Sequence, residues 1–217
     1  MFNFVREIDE LVYFLTAFLA FFGFLVAASF IGAELHSGGV VNLLLWRPNR
    51  TAVLGAKLGV ALAFVLVASL AFSAIYVGTF YGLAASVGWV GNVDAPTFWS
   101  DLVLLCLRGI GLALIVSAVG FAIATIGRHT AAALGVLIGY IIVWELGARL
   151  IVETLNIDNN TSRDQWFLVS HVIAWISGPG NRYSLTTFAN SAMTFAVILA
   201  GLTALAFTTF RRRDITT

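Results

Sequence analysis

The chain has 217 residues, of which 60% are hydrophobic and 11% charged, and its mean hydropathy is +0.95. Soluble domains carry about 25% charged and about 45–50% apolar residues, so this chain has more apolar surface than it can bury within itself and requires lipid. The net charge of +1 gives no reason to expect a nucleic-acid partner, and the single cysteine, Cys106, excludes a disulfide framework and a multi-cysteine metal site.

Five long apolar segments follow in chain order, and each is long enough, at about 1.5 Å per residue, to cross a hydrocarbon core of about 30 Å. They cover residues 11–32, 53–86, 102–126, 131–152 and 188–210. The second exceeds the length of a span, so we expect it to tilt or to project beyond the bilayer. Because we find no repeat, flexible linker or second domain, residues 1–217 are expected to form one all-α polytopic membrane domain.

A polar stretch, residues 34–57, lies between the first two spans. Gly38-Gly39 permit a sharp backbone bend, and the short apolar run 40–46 has the spacing of a helix lying in the plane of the membrane surface. Pro48 ends that helix, and a polar residue just after it, Asn49 or Thr51, is expected to cap the next one. The pattern predicts a rigid projection at one membrane face.

The region 153–187 differs from the rest, because it is polar apart from a short apolar piece, residues 166–176. That piece is too short to span, so we expect a surface or re-entrant helix. Its apolar residues at helical spacing are Trp166, Val169, Ile173 and Ile176, and we expect His171 to lie at the membrane interface.

The basic residues predict the orientation. Alternating spans gather one group on a single side: Arg47, Arg50, Lys57, Arg128, Arg211, Arg212 and Arg213. The opposite side has Arg6, Arg163 and Arg182, and there the acidic residues outnumber them. The positive-inside rule therefore predicts that residues 34–57 and the C-terminus are cytoplasmic and that the N-terminus is outside.

The polar stretch between the first two spans resembles the corresponding part of the permease subunits of type-2 ABC exporters, in particular their actinobacterial branch. The residues that carry this resemblance are Glu34, Gly38, Leu44, Leu45, Pro48, Arg50 and Lys57. The tight turn at 127–130, the short outer helix and the basic tail also fit the family pattern.

The resemblance implies a location in the bacterial cytoplasmic membrane and a coupling helix that docks onto a separate ATP-binding subunit. It also implies that a second permease copy pairs with this one to form an export path. ATP and magnesium would then be bound by the partner, and this chain would hold no cofactor and catalyse no reaction.

Family members usually have six spans, whereas this sequence starts where their second span would begin. The charge pattern agrees, since it places the N-terminus outside. We therefore expect either a start site assigned too late or a protein that works without the first span, and we favour the first explanation.

The charges at the ends of the polar stretch allow two interpretations. Glu34, Arg50 and Lys57 are either helix-end charges tolerated by head groups and water, or they lock the projection through hydrogen bonds and ion pairs. The sequence does not choose between these readings or between the possible pairs.

Three charges lie well inside apolar runs, namely Arg108, Glu145 and Arg149. A charge at mid-bilayer costs about 2.5–3.5 kcal/mol on insertion scales, so such residues usually find partners. All three have a similar depth in the outer half, and Glu145 and Arg149 are four residues apart on one helical face. We expect a cluster of the three, either as a packing ion pair between helices or as the lining of a substrate path or gate.

The remaining polar and small residues indicate packing more than chemistry. His36, His129 and His171 have no metal-ligand spacing, so we expect no metal site. Several glycines predict close helix packing: Gly109, Gly111, Gly120, Gly127, Gly135 and Gly139.

Other functions were compared with the exporter subunit. A secondary transporter typically has repeats and ionisable groups near the midplane, which this sequence lacks. An intramembrane enzyme needs a nucleophile with its base, and no histidine lies inside a predicted span. A non-transporting membrane scaffold stays open on sequence alone.

Overall fold

The computed structural model describes residues 3–37, 39, 49–93, 96–154, 166–179 and 187–212. Within these ranges the chain is helical throughout apart from turns and one isolated bridge. The helices are α1 Phe4–His36, α2 Arg50–Val87, α3 Phe98–Gly127, α4 Thr130–Tyr140, a π-helix Ile141–Ala148, α5 Arg149–Thr154, α6 Leu168–Ser177 and α7 Phe188–Arg212.

Five helical stretches are long and apolar enough to cross a membrane, which confirms the all-α polytopic fold class. They are α1, α2, α3, the continuous stretch Thr130–Val152 and α7. Most extend past the predicted spans by a few residues, because polar residues in a terminal turn can join the helix and still reach the membrane interface.

The helices run between two ends of the bundle. The basic end comprises residues 34–37, 49–57, 127–130 and 207–212, and contacts such as that of Phe207 beside Gly55 hold them together. The acidic end comprises residues 3–10, 87–93, 96–101 and 177–179, where the Phe4 N–H donates to the Trp89 carbonyl at 3.0 Å. The first two long helices are thus tied at the acidic end by the backbone itself.

The centre of the bundle is the contact between α1 and α3, the most extensive between any two described helices. Small residues make it possible, since a Cβ built on Gly120 would lie 2.7 Å from Phe24 Cδ2 and 2.9 Å from the Phe24 carbonyl oxygen. Gly109 lies equally close to Thr16, and Gly23 to Ser117. The predicted close packing therefore holds for Gly109 and Gly120, whereas a Cβ built on Gly135 or Gly139 would meet no side chain or other helix of the described residues within 4 Å.

The short helix α6 packs on the bundle mainly through its small and polar residues. Its buried residues are Ser170, His171, Ala174 and Ile176, whereas Trp166, Val169 and Ile173 are exposed on the protein surface. The small buried residues allow α6 to approach the bundle closely. His171 is buried within the protein, and its Nδ1 lies 3.2 Å from Ser191 Oγ on α7.

Replacing Gly120 with alanine is expected to destabilise the bundle by about 1–3 kcal/mol, because the new methyl group meets a backbone oxygen that cannot move away alone. Unfolding of the purified chain in increasing dodecyl sulfate measures the change. The control is Gly82→Ala in α2, where the added Cβ meets no side chain or other helix within 4 Å among the described residues. Equal loss of stability in both variants would contradict the packing described for α1 and α3.

Candidate functional site

The two helices that flank the predicted projection end in an ordered way at the basic end. At the end of α1, the Ser37 N–H donates to the Ala33 carbonyl at 3.0 Å. At the start of α2, Asn49 Oδ1 accepts from the Ala52 N–H at 3.2 Å, and the Thr51 hydroxyl donates to the same oxygen at 2.9 Å. Asn49 is therefore the cap, of the two residues predicted for that role.

An ion pair joins these two helices. Lys57 Nζ on α2 lies 2.6 Å from both carboxylate oxygens of Glu34 on α1. Both side chains are partly buried, 15% exposed for Lys57 and 31% for Glu34, and Lys57 Nζ also lies 5.7 Å from the centre of the Phe30 ring. The pair therefore closes the loop of chain that runs from Glu34 to Lys57.

The same end of α1 is fixed to the turn between α3 and α4. The His36 and His129 rings meet edge to face at 4.6 Å, and Gly32 is so close to Thr130 that a side chain there would collide with its backbone nitrogen. Arg128 takes a left-handed conformation, with φ 55, which makes the turn tight. His129 Nδ1 accepts from the Ala131 N–H at 3.0 Å and so caps α4.

The remaining residues of the predicted docking set divide into two groups. Gly38, Leu44, Leu45 and Pro48 lie outside the described residues, as does the whole of the predicted in-plane helix, residues 40–46. Arg50 is the first residue of α2. Beside Lys57 a groove of about 600 Å³ runs along the first turns of α2 and is lined mainly by small apolar residues together with Phe30 and Asn49.

Arg108 lies at the acidic end, but not beside Glu145. Its Nη1 is 3.4 Å from the carbonyl oxygens of Ile176 and Ser177, and the guanidinium packs against Gly178, which has a positive φ of 78. A cation at the carbonyl end of α6 is favoured by the helix dipole. The contact thus joins α3 to α6.

Glu145 and Arg149 come together as their spacing predicts. Arg149 Nη2 lies 3.7 Å from Glu145 Oε2. The expected cluster of three charges does not form, because Arg108 is held by α6 and makes no ion pair with either residue in the described chain. The depth in the membrane that the sequence predicts for each charge does not reveal that the C-terminus of α6 packs against the Arg108 side chain.

A polar cavity of about 340 Å³ opens beside Arg108. Two carboxylates, Asp9 on α1 and Asp101 on α3, line it together with Tyr13, whose hydroxyl lies 2.9 Å from Ser177 Oγ. In the described ranges no three His, Cys, Asp or Glu side chains are grouped so that they could hold a metal ion.

A double-mutant cycle on Glu34→Gln and Lys57→Met is expected to give a coupling energy of about 1 kcal/mol in dodecyl sulfate unfolding, since the pair is short and partly shielded from water. The control cycle pairs Glu34→Gln with Arg128→Gln. Arg128 lies at the same end but makes no ion pair in the part of the chain that the structure describes, so its coupling to Glu34 should be close to zero. Additive effects in the first cycle would show that the ion pair does not stabilise this end.

Comparison of the chain with protein-family models, curated proteins and solved structures finds no match. The functional assignment therefore depends on the residues and their geometry.

Proposed function

We propose that this chain is the membrane-spanning permease subunit of an ABC exporter in a bacterial cytoplasmic membrane. In this proposal residues 34–57 dock onto a separate ATP-binding subunit and transmit its movement to the spanning helices. The observation that carries the proposal is the Glu34–Lys57 ion pair, which joins the two helices on either side of the docking segment.

Transmission of movement needs a segment that is firmly attached to the helices it moves. Lys57 holds the start of α2 to the end of α1, and the His36–His129 contact together with the approach of Gly32 to Thr130 holds that end of α1 to the α3–α4 turn. A push on the docking segment would therefore reach four helices together. Two packed states of such a bundle are the kind of bistable element that a nucleotide-driven partner can switch.

The energy source is assigned to the partner. The sequence has no Gly-x-x-x-x-Gly-Lys-Ser/Thr loop, whose backbone would cradle nucleotide phosphates, and its one lysine, Lys57, follows Ala56. In the proposal ATP and magnesium are bound by the ATP-binding subunit, and a second permease copy completes the path. The basic end faces the cytoplasm, in keeping with the positive-inside rule, and so does the C-terminus.

The proposal is tested by site-specific photocross-linking in the native host, with a benzoylphenylalanine at Leu44. The expected product is a cross-link to an ATP-binding subunit, because Leu44 belongs to the docking set. The control position is Trp89, which lies at the acidic end and is exposed. Cross-links to an ATPase from both positions, or from neither, would contradict the proposal.

The same preparation tests the role of the ion pair. The ATPase that co-purifies with the chain should lose most of the stimulation that the chain gives it when Pro48-Asn49-Arg50 is replaced. Replacing Lys57 with methionine should remove about half or more of that stimulation, since losing about 1 kcal/mol of coupling between Glu34 and Lys57 is enough for this. Arg128→Gln serves as the matched charge control. ATPase turnover that stays the same in all three variants would argue against coupling through this segment.

A further inference from the structure

Glu145 is a buried carboxylate with one oxygen satisfied and the other open. The side chain is 6% exposed, and its Oε1 accepts from the Tyr140 hydroxyl at 3.0 Å and from the Val169 N–H at 3.2 Å. Oε2 is buried and has no hydrogen-bond donor among the described residues. A buried carboxylate oxygen without a donor is costly, so this atom marks a position where a further donor would be stabilised.

The group nearest to that oxygen is held loosely. Arg149 Nη2 lies 3.7 Å away, beyond hydrogen-bond distance, and the Arg149 side chain is 44% exposed. Its guanidinium carbon lies 4.8 Å from the centre of the Phe167 ring. The position of Arg149 thus shows that a flat cation fits between the Glu145 carboxylate and the face of the Phe167 ring.

The surrounding backbone and side chains favour an organic cation over a metal ion. Glu145 lies in the π-helix Ile141–Ala148, a form that is rare and frequently found at functional sites. Trp144 donates its Nε1–H to the Trp166 carbonyl at 3.1 Å, and both indoles are exposed beside the site. A hard metal cation prefers several oxygen ligands, whereas one carboxylate among aromatic rings suits an ammonium or guanidinium group with an apolar body.

We propose that Glu145 and Phe167 form a binding site for an organic cation, with the Arg149 guanidinium as its displaceable resident. An incoming ammonium or guanidinium would donate to Glu145 Oε2 and lie over the Phe167 ring, while Arg149 swings toward the water or head-group phase. As a transport site this inference rests on the proposed exporter function, and it names the substrate class as amphiphilic cations.

The test is equilibrium binding of radiolabelled benzylguanidinium to the purified full-length chain in phosphatidylcholine nanodiscs, with empty nanodiscs subtracted. Benzylurea, which is neutral and of similar shape, is the matched ligand control. The wild-type chain is expected to bind the guanidinium and not the urea.

Three variants separate the site from general negative charge. Arg149→Gln should raise the affinity about tenfold, because the competing cation is removed. Phe167→Leu should lower it about threefold through loss of the aromatic face, and Glu145→Gln should lower it about tenfold or more. Asp101→Asn, which removes a carboxylate of the separate cavity beside Arg108, should leave binding unchanged.

If Glu145→Gln does not fold, the opposite changes expected for Arg149→Gln and Phe167→Leu decide the matter. Equal affinities in these two variants and the wild type, or equal binding of benzylurea, would overturn the proposal, as would absence of binding in Arg149→Gln. The measurement needs no ATP-binding subunit. A failure of cation binding therefore contradicts the binding site but not the docking of an ATP-binding subunit. A failure of docking contradicts the exporter function but not the binding site.

Discussion

The ion pair between Glu34 and Lys57 is the interaction on which the basic end depends. A lysine ammonium within 2.6 Å of both carboxylate oxygens forms strong charge-assisted hydrogen bonds, and partial burial of both side chains limits their screening by water. Separating the two groups would leave each charge near the edge of the apolar region. The pair therefore keeps the end of α1 and the start of α2 together.

The packing of the other helices links the basic end of the bundle to the acidic end. Glycines at the α1–α3 contact bring the two helices close along much of their length, so a displacement of α1 is passed to α3 by direct packing. At the acidic end α6 is held from two sides, by Arg108 at its C-terminus and by Glu145 at its first turn. We therefore see a molecule in which the end proposed to receive force and the end proposed to bind cargo are joined by closely packed helices.

Much of the fold could be predicted because its cause is local. The composition predicted a membrane protein, and the lengths of the apolar runs predicted five spans. Asn49 caps α2, as its position after Pro48 suggested. The sequence also named Glu34 and Lys57, and the i,i+4 spacing brought Glu145 and Arg149 together. In each case either a segment length or a short-range spacing carries the information.

The errors concern contacts between segments distant in the chain. Arg108 was expected beside Glu145 because both have a similar depth in the membrane. Depth does not give the direction in which a side chain points around its helix axis, and Arg108 instead donates to the carbonyl oxygens at the end of α6. The sequence also did not reveal that His171 is buried against Ser191, twenty residues further on. The π-helix that holds Glu145 has no signal in residue periodicity, since its turns depend on what packs around them.

A docking segment is useful only on the side of the membrane where ATP is, so the proposed function requires the basic end to face the cytoplasm. Single cysteines are introduced at Ser37 and, as the opposite-end control, at exposed Ser86, each in a Cys106→Ser background, and intact cells are treated with a membrane-impermeant maleimide. We expect labelling of Ser86→Cys in intact cells and of Ser37→Cys only after lysis. Labelling of Ser37→Cys from outside would contradict this orientation.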